Sequence, residues 1–154
     1  MDNISKEERS RVMGLVKQKN TRPEMAVRSF LHKHGFRFRL HDKSLSGKPD
    51  IVLPKCRAVV FVHGCFWHGH KATTCKLARM PKSRVRFWKT KILSNARRDR
   101  ANAQKLKAVG WNVLVVWECE IDSVVHMSTL LEQLRQLSVA DNTIKTNKSN
   151  TPSI

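Results

Sequence analysis

The stretch Arg57-Ala58-Val59-Val60-Phe61-Val62-His63-Gly64-Cys65-Phe66-Trp67-His68-Gly69-His70 decides how this chain folds. Its first half is a dense, β-branched apolar run, which reads as a strand buried on both faces. After Gly64 the pattern breaks into a short segment holding Cys65, His68 and His70 beside two adjacent large aromatics, Phe66 and Trp67. A strand ending this way carries reactive side chains to the rim of a sheet, where a substrate can reach them.

Working outward, Asp50-Ile51-Val52-Leu53 is a second strand, and Pro54-Lys55 turns the chain into the central one. The two pair antiparallel, which places Asp50 at the same end of the sheet as Val62 and His63. On the other side, residues 64–82 are irregular, and the pattern from Ser83 to about Val109 is helical and basic, with Gly110 as its C-cap. Trp111 to Trp117 is again apolar on both faces. Strand, helix, strand implies a right-handed crossover and parallel pairing. Cys119, just past the later strand, should therefore come near Cys65, just past the earlier one.

The N-terminal part reads as two helices. Ser5 and Glu8 form a capping box, with Ile4 as a hydrophobic staple, and the helix runs to about Gln18 with Val12, Met13, Leu15 and Val16 as its apolar residues. Thr21-Arg22-Pro23-Glu24 repeats the start signal, and this second helix turns Val27, Phe30 and Leu31 inward and stops at Gly35. Phe36 to Leu40 alternates as a half-buried strand, and Ser44 to Pro49 is a loop. Met127 to Leu137 is an amphipathic helix, while residues 138–154 are polar and aperiodic and read as a disordered tail. The expected architecture is one small α/β domain, residues 1–137, with a mixed sheet.

Lys and Arg number 30 against 12 Asp and Glu, a formal net charge of +18. Charge of that size does not choose a fold but predicts attraction to polyanions, nucleic acid first, through neutralised phosphates. No segment approaches the roughly 20 apolar residues of a membrane span, and the first residues lack the order of a secretory signal. The expected setting is the cytoplasm, where four cysteines imply metal or free thiols rather than disulfides. Between Lys76 and Lys107 stand twelve Lys or Arg and a single acid, Asp99. A solvated helical face usually mixes both signs, so this imbalance argues for phosphate contact, with Lys82, Arg84, Arg86, Lys89 and Arg97 as contributors.

Cys65, His70 and Cys75, with Cys119 brought in by the crossover, supply a closed tetrahedral zinc set, which leaves no position for substrate and is therefore structural. The alternative is scattered buried thiols, which are common as small hydrophobes; Cys56 sits at the turn end of its strand and is not counted. Asp50 is an acid at the entry of a buried strand. A hard cation such as Mg²⁺ would account for it, as would a role in capping the preceding loop. His63 and His68 flank the strand end and can each move a proton near neutral pH. Phe66 and Trp67 suit either wedging between base pairs or local packing, Met13 is a weaker candidate for the same, and Glu24 is accounted for by its capping box.

Phe61-Val62-His63-Gly64-Cys65-Phe66-Trp67-His68, with Gly47-Lys48-Pro49-Asp50 before it and Gly110-Trp111 through Val116-Trp117-Glu118-Cys119 after it, closely resembles the very short patch repair (Vsr) endonucleases. The likeness runs in register from about Arg9 to Leu137. It implies a restriction-endonuclease-like fold of the PD-(D/E)xK type and a nick in one DNA strand, 5′ to the mispaired thymine of a T:G mismatch. It further implies a bacterial, nucleoid-associated enzyme acting as a monomer on double-stranded DNA alongside other mismatch-repair proteins.

By the same resemblance Asp50 is the Mg²⁺-binding aspartate, the Val62 position supplies a metal-binding carbonyl, and two Mg²⁺ ions and one Zn²⁺ are expected. His63 stands where related nucleases have the motif's lysine and Phe61 where they have its second acid. His68 and Glu24 match further active-site positions, and Cys65, His70, Cys75 and Cys119 match the zinc ligands, with a longer gap between His70 and Cys75 than in some relatives. Phe66, Trp67 and Met13 resemble intercalating residues, and Lys91 and Asn95 fall where the family reads the mismatched pair. Two rivals to this reading are a zinc-stapled DNA-binding module without catalysis and a nuclease that cuts both strands.

Overall fold

A computed structural model describes residues 5–16 and 19–149. Its centre is a four-stranded sheet in the order β1 (Arg39–Leu40), β2 (Ile51–Leu53), β3 (Ala58–His63), β4 (Asn112–Trp117). β2 and β3 are antiparallel, with Ile51 opposite Val60 and Leu53 opposite Ala58. The turn between them works because Pro54 starts one tight helical turn and Arg57 closes it in the left-handed region at φ 48°. β3 and β4 are parallel, running in register from Ala58 opposite Asn112 to His63 opposite Trp117. The mixed sheet is thus as the sequence predicts.

Alternation along β3 sends side chains to two cores. Ala58 and Val60 join Ile51, Leu53 and Val116 under α2 (Arg22–Lys33) and α4 (Val124–Ser149), which contribute Val27, Leu31, Met127, Leu130 and Leu134. Val59 and Val52 face the other way, onto Leu106 of α3 (Val85–Ala108), with Phe61, Trp111 and Val113 packed around them. Helices therefore cover both faces, which explains why the central run is apolar without alternation. The caps are as expected: Thr21 accepts from the Glu24 amide at 3.4 Å, Ser5 accepts from Glu8 at 3.1 Å, and α2 ends at Gly35 in the left-handed region.

Four features depart from the sequence reading. α1 (Lys6–Gly14) is shorter than expected and buries none of its residues, so Val12, Leu15 and Val16 are exposed; α2 and α4 already occupy that face of the sheet. Ile4 and Gln18 lie outside the described residues. The alternating segment 36–40 half-buries Phe36 and Phe38, yet only Arg39 and Leu40 join the ladder. β4 is an edge strand, so Val115 stays 41% exposed where burial on both faces was expected. Finally, α4 continues past Leu137 through Ser149, over most of the stretch read as a disordered tail. Its backbone bonds continue without an apolar face, as the exposed Val139 and Ile144 show. Residues 150–154 lie outside the described residues.

Leu31 is fully buried in the larger core. Leu31→Ala should lower unfolding free energy by about 2–5 kcal/mol, read as a reduced urea midpoint without a change in slope.

Candidate active site

The ends of β2, β3 and β4 open onto a groove of about 1570 Å³ lined by Asp50, Val62, His63, Trp67, His68, Lys91 and Asn95. The fold thus gathers most of the sequence-predicted site residues, but it sorts the titratable ones into separate groups.

The first group is Glu24, His41 and Asp50, whose ligand atoms lie within 4.8 Å of one another. The β2–β3 pairing puts the Val62 amide 2.7 Å from Asp50 Oδ2, to which it donates. Burial pushes the Asp50 carboxyl up to about 6; the Val62 amide opposes that shift, and the nearby Glu24 charge adds to it. Glu24, only 4% exposed, accepts from the Asn20 amide at 3.0 Å and from Arg28 at 2.9 Å. Its carboxylate thus has partners beyond the capping role read from the sequence. His41 Nδ1 stands 3.9 Å from Asp50 and its Nε2 3.6 Å from Glu24.

The second group is His63, His68 and Asp99. The two imidazoles stack with centroids 4.0 Å apart and planes within 5°. His68 Nδ1 lies 2.6 Å from Asp99 Oδ2, so Asp99 fixes the ring and its tautomer. Burial raises the Asp99 carboxyl, but that bond together with the charges of His68, His63 and Arg98 holds it below the usual carboxylate range. His63 is pushed down to about 4, by burial first and by the neighbouring His68 second. The acid and the imidazoles border the same groove in separate clusters.

The third group is Cys65, His70, Cys75 and Cys119, again with ligand atoms within 4.8 Å of one another. The parallel crossover delivers Cys119, as predicted, and its Sγ stands 3.4 Å from His70 Nδ1. His70 stacks on Trp117 at 4.3 Å, which orients its ring. Burial pushes the Cys65 thiol up to about 12. Desolvation works the same way on Cys75, but hydrogen bonds from His70 and Cys65 hold it down to about 7. Three thiols and one imidazole so close form a set that can bind a soft metal ion. Cys56 is buried elsewhere, in the core.

Phe66, Trp67 and Trp88 meet edge to face, with centroids 5.1–6.0 Å apart. The first two are only half-buried. Asn95 holds this segment by donating to the Trp67 carbonyl at 2.9 Å. Met13, 36% exposed, also lines the groove. The basic residues that line it are Arg22, Lys43, Lys48, Lys71, Lys91, Arg98 and Arg100. Lys82, Arg84, Arg86, Lys89 and Arg97 are exposed but stand outside the lining. Sequence reasoning missed His41 and Asp99 as site residues. For Asp99 the signal was present, a lone acid in a basic helix; for His41 there was none, because its placement depends on a loop turn.

The family described as DNA mismatch endonuclease Vsr matches residues 1–74. The chain is 50% identical over 133 residues to the Type II nicking enzyme V.XorIIP of Xanthomonas oryzae, covering 86% of this chain and 96% of that one. It is 48% identical to the Type II nicking enzyme V.NmeAIP of Neisseria meningitidis, over 78% and 84% of the two chains. With the DNA mismatch endonuclease Vsr of Escherichia coli the identity is 42%, over 73% and 70%. A mixed sheet with acids and imidazoles opening on a basic groove, read with these likenesses, defines a DNA endonuclease. The chain belongs to the DNA mismatch endonuclease Vsr family.

If the cysteine cluster holds an ion, Cys65→Ser should lose about one equivalent of bound metal by elemental analysis and several degrees of thermal stability. Unchanged metal content would rule out the assignment.

Proposed function

We propose that this protein nicks one strand of duplex DNA on the 5′ side of the mispaired thymine in a T:G mismatch, by Mg²⁺-dependent phosphodiester hydrolysis. The observation that carries the proposal is the Asp50 carboxylate. It is fixed by the Val62 amide, crowded by Glu24, and faces a groove lined by seven Lys and Arg side chains.

The donors suit the expected ions. The Asp50 carboxylate, raised toward protonation by burial and set beside Glu24 and His41, is a hard oxygen donor of the kind Mg²⁺ takes. Asp50 and the Val62 carbonyl would hold the ion, and a second ion would draw on the DNA itself for ligands. When bound, Mg²⁺ supplies charge neutralisation at the scissile phosphate. The soft Cys65, His70, Cys75 and Cys119 set suits one Zn²⁺ as a structural clamp.

The chain's own residues then divide the proton chemistry. With Nδ1–H donated to Asp99, His68 presents Nε2 as the nitrogen that can take or return a proton. His63, with its proton lost at about pH 4, stays neutral at working pH and supports the His68 ring by stacking. Water forms the new P–O bond as the bond to the leaving sugar oxygen breaks, and that oxygen takes up the proton. Lys91 and Asn95, one turn apart on α3, face the groove where they could read the mismatched pair, while Phe66, Trp67 and Met13 could wedge into it. Unstacking costs a few kcal/mol and less at a weakened pair, which favours a mismatch. The exposed Lys82, Arg84, Arg86, Lys89 and Arg97 extend phosphate contact beyond the groove. The reading is of a cytoplasmic, monomeric enzyme acting with other repair proteins, and relatives such as the one from Escherichia coli support a bacterial setting. Among the described residues no helix is long and apolar enough to cross a membrane.

The test is a nicking assay on T:G and matched duplexes with Mg²⁺. Wild type should nick the T:G duplex in one strand; equal cutting of matched duplex, or none of either, would overturn the reading. Asp50→Asn should lower the rate by roughly a thousandfold or more. The same substitution should raise the thermal stability of metal-free protein at pH 7. Folded Asp50 holds its proton up to about 6 and an unfolded aspartate does not, so that contribution to stability is lost as pH rises through about 6. Because protons and Mg²⁺ compete for Asp50, the Mg²⁺ concentration for half-maximal nicking should rise as pH falls below about 6.

A further inference from the structure

Arg28 occupies a position that the reaction as described does not use. It is 8% exposed, on the inner side of α2, and it reaches four groups at once. One terminal nitrogen donates to Asn20 Oδ1 at 2.8 Å and to Met25 Sδ at 3.4 Å; the other donates to Glu24 Oε2 at 2.9 Å and to His41 Nε2 at 2.9 Å. Its Nε has no partner among the described residues. A buried guanidinium with an unsatisfied N–H is costly in stability, so a purely structural ion pair is a weak account of it.

Two of the residues it holds have left-handed backbone, which is uncommon outside glycine. Asn20 has φ 54° and His41 φ 47°. Left-handed backbone costs a non-glycine residue about 1 kcal/mol or more, and such residues gather at functional sites. The bend at His41, just past β1, turns its ring onto the pocket, while its own amide donates to the Asp50 carbonyl at 3.4 Å.

Arginine has donors only. His41 Nε2, facing Arg28 at 2.9 Å, must therefore carry the lone pair, and the ring proton sits on Nδ1, the nitrogen that faces Asp50 Oδ1. We propose that Arg28 is a positioning residue for the cation pocket: one guanidinium locks the Glu24 carboxylate and fixes His41 as the Nδ1–H tautomer directed at Asp50. It follows that Glu24 Oε2 and His41 Nε2 are already committed to Arg28, leaving Asp50 as the carboxylate presented to the ion. The role in cation loading rests on the proposed Mg²⁺-dependent reaction; the tautomer does not.

The two parts are tested separately. In ¹⁵N-labelled, metal-free protein, His41 should show a protonated Nδ1 and an unprotonated Nε2, and Arg28→Lys, which lacks the planar fork, should erase that pattern. A wild-type His41 protonated at Nε2, or a pattern unchanged in Arg28→Lys, overturns the proposal whatever the enzyme cuts. In the nicking assay, Arg28→Lys should raise the half-saturating Mg²⁺ concentration about tenfold with KM for DNA unchanged. His41→Gln, whose amide can both accept from Arg28 and donate toward Asp50, should need less Mg²⁺ for half-maximal nicking than His41→Phe, which should behave like Arg28→Lys. The His41 pair covers the case in which Arg28→Lys fails to fold. Equal Mg²⁺ dependence in His41→Gln and His41→Phe would overturn the positioning role, whereas a wild type that nicks nothing removes the functional reading and leaves the tautomer result standing.

Discussion

The bond from the Val62 amide to Asp50 Oδ2 is the constraint on which the site depends. It exists because β2 and β3 pair in one register, Ile51 against Val60, which brings the residue before β2 level with the end of β3. A slip of one residue would send Val59 to the wrong core and Asp50 to the wrong face together. The register that packs the interior therefore also places the acid, and no separate device is needed to aim it.

The parallel pairing of β3 and β4 plays the same part for the cysteines. Cys65 and Cys119 each follow the C-terminal end of a strand, and those ends lie side by side because His63 stands opposite Trp117. The irregular segment between Gly64 and Cys75 is then tied to the sheet by the cluster and by the His70–Trp117 stack. This segment also carries Phe66, Trp67 and His68. Ordering it is a matter of fixing the aromatic and imidazole side chains at the groove, since the loop has little core of its own.

Much of this was legible in the sequence because it follows from strand order. The antiparallel turn at Pro54, the crossover, and the meeting of Cys65 with Cys119 each needed only periodicity and the handedness rule. The contacts of His41, Asp99 and Arg28 were not legible, for different reasons. His41 depends on a left-handed turn at a histidine, which no propensity announces. Asp99 faces His68 across the groove from the middle of a long helix, a distance of thirty-one positions that pattern reading does not bridge. Arg28 has no sequence feature that sets it apart from an exposed cation on α2, and only the packing shows it is buried. The outer limits failed where burial, not period, decides: Val12 and Leu15 are apolar but uncovered, and α4 runs on beyond its apolar face.

The crossover helix α3 is unbroken for 24 residues. At 1.5 Å per residue it is a rod of roughly 36 Å, the span of about one turn of B-form duplex. Lysines and arginines are spread along its whole length rather than gathered at one end. A stiff rod of that size carries positive charge over a length comparable to one duplex repeat, many times the rise of a single base pair.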